Sequence, residues 1–182
     1  MWGNFEELAF SILGKGAKIG FTGGGDCHEG RCGFSVEDPE GQGKTPHTFA
    51  PGLKYRCGLT AALLPSLTRA ELLQALRHRR TYATTGARIL LDFSISGTPM
   101  GRDLRTESPP AIAATIHACA PVAAVDVIKN GAVVHSRRDL PQDCSLSWQD
   151  PSGDPGWYVL RVTQTDGAKA WSSPIWVRPG EW

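Results

Sequence analysis

The residues best suited to chemistry are Asp26 and His28, inside the run Gly23-Gly24-Gly25-Asp26-Cys27-His28-Glu29-Gly30. They follow the apolar stretch Lys18-Ile19-Gly20-Phe21-Thr22, which reads as a short strand. A carboxylate and an imidazole two residues apart at a strand end project in the same general direction. Together they can hold a divalent metal such as Zn, Mn or Fe. The glycines let the backbone come close to such an ion. The plainer alternative is an Asx-type turn with a solvated histidine. A rival set, Cys27, Cys32 and Cys57 with His28 or His47, has the residue types of a Cys₃His zinc site. No Cys-x-x-Cys pair accompanies it, so free thiols are the favoured reading there.

Several elements must position these groups. Asn4 can cap a first helix that carries Phe5, Leu8, Ile12 and Leu13 on one face and stops at Gly14 and Gly16. A second helix starts at the capping box Thr68 and Glu71. It carries the stripe Leu72, Leu73 and Leu76 and ends on Arg77, His78, Arg79 and Arg80. Helix, strand, loop, helix is the rhythm of βα units. After about Arg88 the pattern changes to period-two alternation, as in Leu91, Phe93, Ile95 and again in Ile112, Ala114, Ile116. Asn130-Gly131 and Asp166-Gly167 are two-residue hairpin signals, the second joining Trp157–Thr165 to an arm Ala168–Val177. Strands so spaced read as an antiparallel β-sandwich, with a boundary near residues 86–90. In the first hairpin His135 is expected opposite Asp126. Cys119 and Cys144 fall on opposite faces, which argues against a disulfide between them. The tryptophans 148, 157, 171 and 176 read as core and rim rather than as a sugar-stacking platform.

Composition narrows the functional classes. The 182 residues carry 19 Lys+Arg against 18 Asp+Glu, so the basic footprint of a general nucleic-acid binder is missing. A hydrophobic content of 41% supports a packed core and excludes wholesale disorder. No run approaches the roughly 20 apolar residues of a spanning helix, so no membrane partner is expected. Met1-Trp2-Gly3-Asn4 lacks the basic start and apolar run of a signal peptide, which favours a cytoplasmic location. The length is also too short for a complete (β/α)₈ barrel, about 250 residues, beside a second domain.

Three runs carry a family resemblance. They are Gly58-Leu59-Thr60-Ala61-Ala62, the segment from Leu67 to Leu76, and Arg79-Arg80-Thr81-Tyr82-Ala83-Thr84-Thr85-Gly86-Ala87-Arg88-Ile89. Together with the ending Trp171-Ser172-Ser173-Pro174-Ile175-Trp176-Val177, they resemble the C-terminal part of PHP-superfamily metallohydrolases. The branch resembled is the carbaryl-hydrolase-like and DUF3604-like one, in which a barrel precedes a β-sandwich tail. The resemblance implies a distorted (β/α)₇ barrel with two or three metals that activate water against a phosphoester or related ester. It also implies that Asp26 and His28 match the last ligand motif, Asp-x-His. Arg31, Lys44 and Arg56, by charge and loop position, are candidates to hold a small anionic or ester substrate. The superfamily's first motif, His-x-His, is absent from the chain. Two ligands do not complete a catalytic zinc site, which needs three and a water.

The expected fold is therefore α/β plus all-β: residues 1–88 as the C-terminal βα segment of a PHP-like barrel, then 89–182 as an immunoglobulin-like β-sandwich. The expected function is that of a portion of a metal-dependent hydrolase, inactive alone. Its partner would be a missing N-terminal barrel segment or a second copy. The alternative is a non-catalytic β-sandwich module for binding or assembly.

Overall fold

Alternation with period two builds most of the molecule, because side chains that alternate along a strand give a sheet one buried face. The computed structural model describes residues 5–24 and 58–180. Among these the elements in chain order are α1 (Phe5–Gly14), β1 (Leu59–Ala62), α2 (Arg69–Arg77), β2 (Thr81–Thr84), β3 (Leu90–Ile95), β4 (Thr98–Pro99), β5 (Asp103–Arg105), β6 (Ala111–His117), β7 (Val122–Lys129), β8 (Ala132–Leu140), β9 (Asp143–Gln149), β10 (Gly156–Gln164), β11 (Lys169–Ser172) and β12 (Ile175–Arg178).

Two sheets result. The smaller has the order β4-β3-β6-β9, and in β6 every second residue is buried. The larger has eight strands along the path β1-β2-β11-β10-β12-β5, with β7 and then β8 joined through β10. β10 is the hub. Residues 158–164 pair with β7, which leaves the opposite edge to β11 and β12. The arm Ala168–Val177, expected as one strand, breaks at Ser173-Pro174 into β11 and β12. The first half then takes β2 as its outer neighbour, and the second takes β5 in parallel.

This topology corrects the expected barrel segment. Lys18–Thr22 runs as irregular chain and joins neither sheet. β1 and β2 flank α2 as in a βα unit, yet they pair antiparallel, Leu59 opposite Thr84 and Ala62 opposite Thr81. Barrel-forming βαβ units require parallel strands. β2 also continues the large sheet by pairing with β11, and all four of its residues are buried. The described residues thus form a β-rich fold of mostly antiparallel sheets, and no (β/α)₇ barrel is present among them. A helix between two strands fixes only their order in sequence; here the burial of β2 against β11 decides their direction.

Two cores hold the sheets. Between them lie Phe93, Ile95, Ile112, Ile116 and Leu146 from the small sheet and Val125, Val127, Tyr158, Leu160 and Ile175 from the large one. On the other face of the large sheet, Trp157, Val159, Trp171 and Trp176 pack under Ala9 and Leu13 of α1 and under Phe21. α1 therefore buries a different face from the expected one: Leu8 is exposed, while Glu6 turns inward for a reason given below. α2 starts as its capping box requires, Thr68 Oγ1 accepting from the Glu71 N–H at 3.2 Å. Its stripe is not buried, however. Ala75 is the buried residue of this helix, and Leu72, Leu73 and Leu76 stay exposed.

Turn chemistry sets the β7–β8 register. Asn130 and Gly131 both adopt positive φ (51° and 88°), as the expected two-residue hairpin demands. A register shift between Val127 and Ile128 then moves the partners by one. His135 faces Val127 rather than Asp126 and stacks on Trp148 of β9, with ring centroids 4.8 Å apart. Asp126 instead faces Ser136 and is buried.

Tyr82 ties β2 to the start of β3. Its hydroxyl donates to the Ile89 carbonyl (2.9 Å) and accepts from the Leu91 N–H (3.2 Å), all buried. Replacing Tyr82 by Phe leaves both backbone groups without this partner, so urea unfolding should show a loss of about 1–3 kcal/mol with an unchanged m-value.

Candidate functional site

Asp26, His28, Arg31, Lys44 and Arg56, like Cys27, Cys32, Cys57 and His47, lie outside the described residues. The structure does define where the chain leaves for them and where it returns. A Cβ on Gly58 would stand 2.9 Å from the Gly24 carbonyl oxygen and 3.2 Å from that of Thr84. A Cβ on Gly23 would stand 2.3 Å from the Leu59 carbonyl oxygen. Only glycine permits backbones this close. Thr60 Oγ1 adds a 2.7 Å hydrogen bond to the Gly23 carbonyl. The last residues before Asp26 are thus clasped against β1.

The approach to this clasp is anchored from below. Phe21 is buried, its N–H donates to Ser173 Oγ at 2.8 Å, and its ring meets Phe5 edge-on at 5.3 Å. Ser173 is the residue at which the β11–β12 arm breaks, so the interruption supplies the hydroxyl that holds Phe21. α1 covers the segment and is itself pinned by charge. Arg161 of β10 donates two hydrogen bonds to Glu6 (2.8 and 2.7 Å) and two to Asp126 Oδ2 (3.2 and 2.8 Å). Trp171 Nε1 donates to Glu6 at 2.7 Å, and Ser136 Oγ donates to Asp126 at 2.7 Å. Burial alone would raise the Glu6 pKa, but the bonds from Arg161 and Trp171 outweigh it and hold the carboxyl below its ordinary 4.5.

A second buried constellation has catalytic residue types. Lys129 Nζ donates to Asp150 Oδ2 (2.9 Å) and Ser152 Oγ (2.7 Å), and the Tyr158 hydroxyl donates to the same Asp150 oxygen at 2.6 Å. Burial and the Asp150 carboxylate push the Tyr158 phenol well above its ordinary range. Burial opposes the charge on Asp150, yet the bonds from Lys129, Tyr158 and Ser152 hold its carboxyl far below the usual carboxylate range. The side chains of Lys129 and Asp150 are only 8% and 5% exposed, and Tyr158 is wholly buried. This cluster forms a polar lock between β7, β10 and the turn after β9.

An open cleft of about 460 Å³ lies between the end of α1 and the β10–β12 edge, lined by Leu13, Lys18, Asn130, Trp157, Trp176 and Arg178 among others. Lys18 and Arg79 both lie over the Trp176 ring, at 5.3 and 5.4 Å, and Lys18 also pairs with Asp103. Both cations lie over Trp176, while Trp157 packs on Phe10 with ring centroids 5.2 Å apart.

The remaining predicted groups are dispersed. His78 ends α2, His117 pairs with Asp143 at 2.8 Å on the surface, and Cys119 and Cys144 are free thiols. Among the described residues, no group of three or more His, Cys, Asp or Glu is placed to hold a metal ion. Sequence reasoning missed the Arg161 and Lys129 clusters. The available signal was a charge inside an otherwise apolar strand: Asp126 and Lys129 in β7, Arg161 in β10.

No family model matches the chain, and no solved structure matches it. It is similar to an uncharacterized protein of Chlamydia pneumoniae, 36% identical over 97% of this chain and 33% of the relative. An uncharacterized protein of Chlamydia trachomatis serovar D is 33% identical over 96% of this chain and 29% of its own length. One of Chlamydia muridarum gives the same figures. The chain thus spans about a third of the length of the curated relatives it matches.

Arg161→Ala removes four hydrogen bonds from the Glu6 and Asp126 carboxylates, leaving them the Trp171 and Ser136 donors, and should cost about 1–3 kcal/mol by chemical denaturation, with α1 the first element to lose hydrogen-exchange protection. The pH profile follows from the same groups. Glu6 and Asp150 have folded pKa values below their unfolded ones, so their contribution is present above about pH 4.5 and is lost as pH falls through the folded values. Tyr158 has the opposite sign: its contribution is present below its unfolded value of 10 and declines as pH rises beyond it. Thermal melts across pH 2–12 should therefore show a plateau with losses at both ends.

Proposed function

We propose that the chain forms part of a metal-dependent hydrolase acting on a phosphoester or related ester, with Asp26 and His28 as two of its metal ligands. One observation supports this reading above the others. The runs resembling the PHP metallohydrolases, at β1, α2 and β2, come together beside the clasp of Gly23 and Gly24 on Leu59 and Gly58, two residues before Asp26. A carboxylate and a neutral imidazole suit Zn, Mn or Fe. When bound, such an ion lowers the pKa of water and polarises the scissile group. The chain's own part is to hold the irregular approach from Phe21 to Gly24 through Ser173, Thr60 and the glycine contacts, two residues before the first donor. Arg31, Lys44 and Arg56 are proposed to attract an anionic substrate. Further ligands would come from the rest of a longer polypeptide, since three are needed.

Calorimetric titration of the chain with Zn²⁺ tests the ligand assignment. Asp26→Ala and His28→Ala should each weaken binding about tenfold or more, with an unchanged circular-dichroism spectrum. Binding that survives both but is lost in Cys32→Ala would assign the metal to the cysteines instead. Hydrolysis of p-nitrophenyl phosphate by the longer Chlamydia relatives, abolished by chelation and restored by Mn²⁺ or Zn²⁺, is expected. The absence of any such metal-dependent turnover would sink the hydrolase reading.

A further inference from the structure

α2 carries a surface that the described fold does not use. The helix has nine residues, too few to be stable in isolation, and it is held by its caps and by Ala75, which is fully buried. Leu72 and Leu76 are one turn apart and Leu73 stands beside them, so the three form one contiguous patch. They are 40%, 44% and 43% exposed, and Leu67, just before the helix, is 91% exposed. A helix normally turns its leucines to the core and its polar residues outward. Arg80, just after the helix, pairs with Glu71 at 4.0 Å. α2 connects β1, which ends the path of the large sheet, to β2.

We propose that this leucine face docks against a further part of the same polypeptide, the part that the longer relatives possess outside the span they share with this chain. Two observations select that occupant over a second copy. The four leucines offer on the order of a few hundred Å². A specific complex between separate molecules buries about 800 Å² on each partner. A patch too small to hold a free partner suffices when the partner is tethered, because a covalent connection raises its effective concentration to the millimolar range. Moreover, about two thirds of each relative lies outside the matched span, which supplies a tethered occupant of ample size. The occupant's chemistry follows from the patch: an apolar surface of Leu, Ile, Val or Phe side chains with no buried charge against it. The inference stands whether or not the chain takes part in hydrolysis.

The test uses this chain and the full-length Chlamydia pneumoniae relative. In this chain, the double variant Leu72→Glu, Leu76→Glu should leave the melting temperature within about 2 °C and light scattering at the mass of one copy. The same two changes at the matched positions of the full-length relative should lower its melting temperature by more than about 5 °C. Amides of the matched helix should exchange at least tenfold more slowly in the relative than those of α2 do in this chain. Three results would overturn the proposal. One is strong destabilisation of this chain by the double variant, showing that the leucines already serve its own fold. Another is a dimer of this chain that the glutamates dissociate, which makes the occupant a second copy. The last is a full-length relative indifferent to both changes, with equal exchange in the two helices.

Discussion

Arg161 is the interaction on which the arrangement rests. It stands on β10, the hub of the large sheet, and its guanidinium is shared between Glu6 of α1 and Asp126 of β7. The large sheet is covered on both faces, by the small sheet on one side and by α1 with residues 17–24 on the other. A charge in such a layer must be fully paired, because an isolated one would cost several kcal/mol. Pairing fixes which face of α1 turns inward. That face in turn presses Phe21 onto the tryptophans and delivers Gly23 to β1. A single half-buried cation thus couples the helix at one end of the sequence to a strand 155 residues away.

The same rule explains why the molecule's most catalytic-looking side chains are structural. Lys129, Asp150 and Tyr158 have the types and distances of an acid–base cluster, yet Lys129 and Tyr158 both donate to one Asp150 oxygen. Chemistry needs a group that can give or take a proton in contact with a substrate. These three are bonded to one another in a nearly buried setting and tie β7 and β10 to the turn after β9. The proposed ligand pair, Asp26 and His28, follows in sequence a clasp built from glycine backbones and one threonine hydroxyl.

Much of the fold was legible as local pattern. The alternation in β3 and β6, the hairpin at Asn130-Gly131 and the helix start at Thr68 and Glu71 all follow from period and turn chemistry. What failed were inferences that needed a partner in space. The leucine stripe of α2 reads as an apolar face, but its side chains stay 40–44% exposed. Lys18–Thr22 has the composition of a strand, yet Phe21 uses its N–H on a serine side chain rather than on a neighbouring strand. His135 was placed one residue away from its true partner because a bulge cannot be seen in alternation alone.

The amino-acid sequence by itself determined where most of the strands, turns and helix starts among the described residues occur. These depend on neighbours within a few residues, through side-chain periodicity, φ preferences and caps. Tertiary structure alone decided that β1 and β2 run antiparallel, that β2 joins β11 rather than a barrel, and that Glu6, Arg161 and Asp126 meet. Those outcomes depend on which distant surfaces exclude water together. Burial and charge pairing are non-local energies, and no spacing along the chain records them.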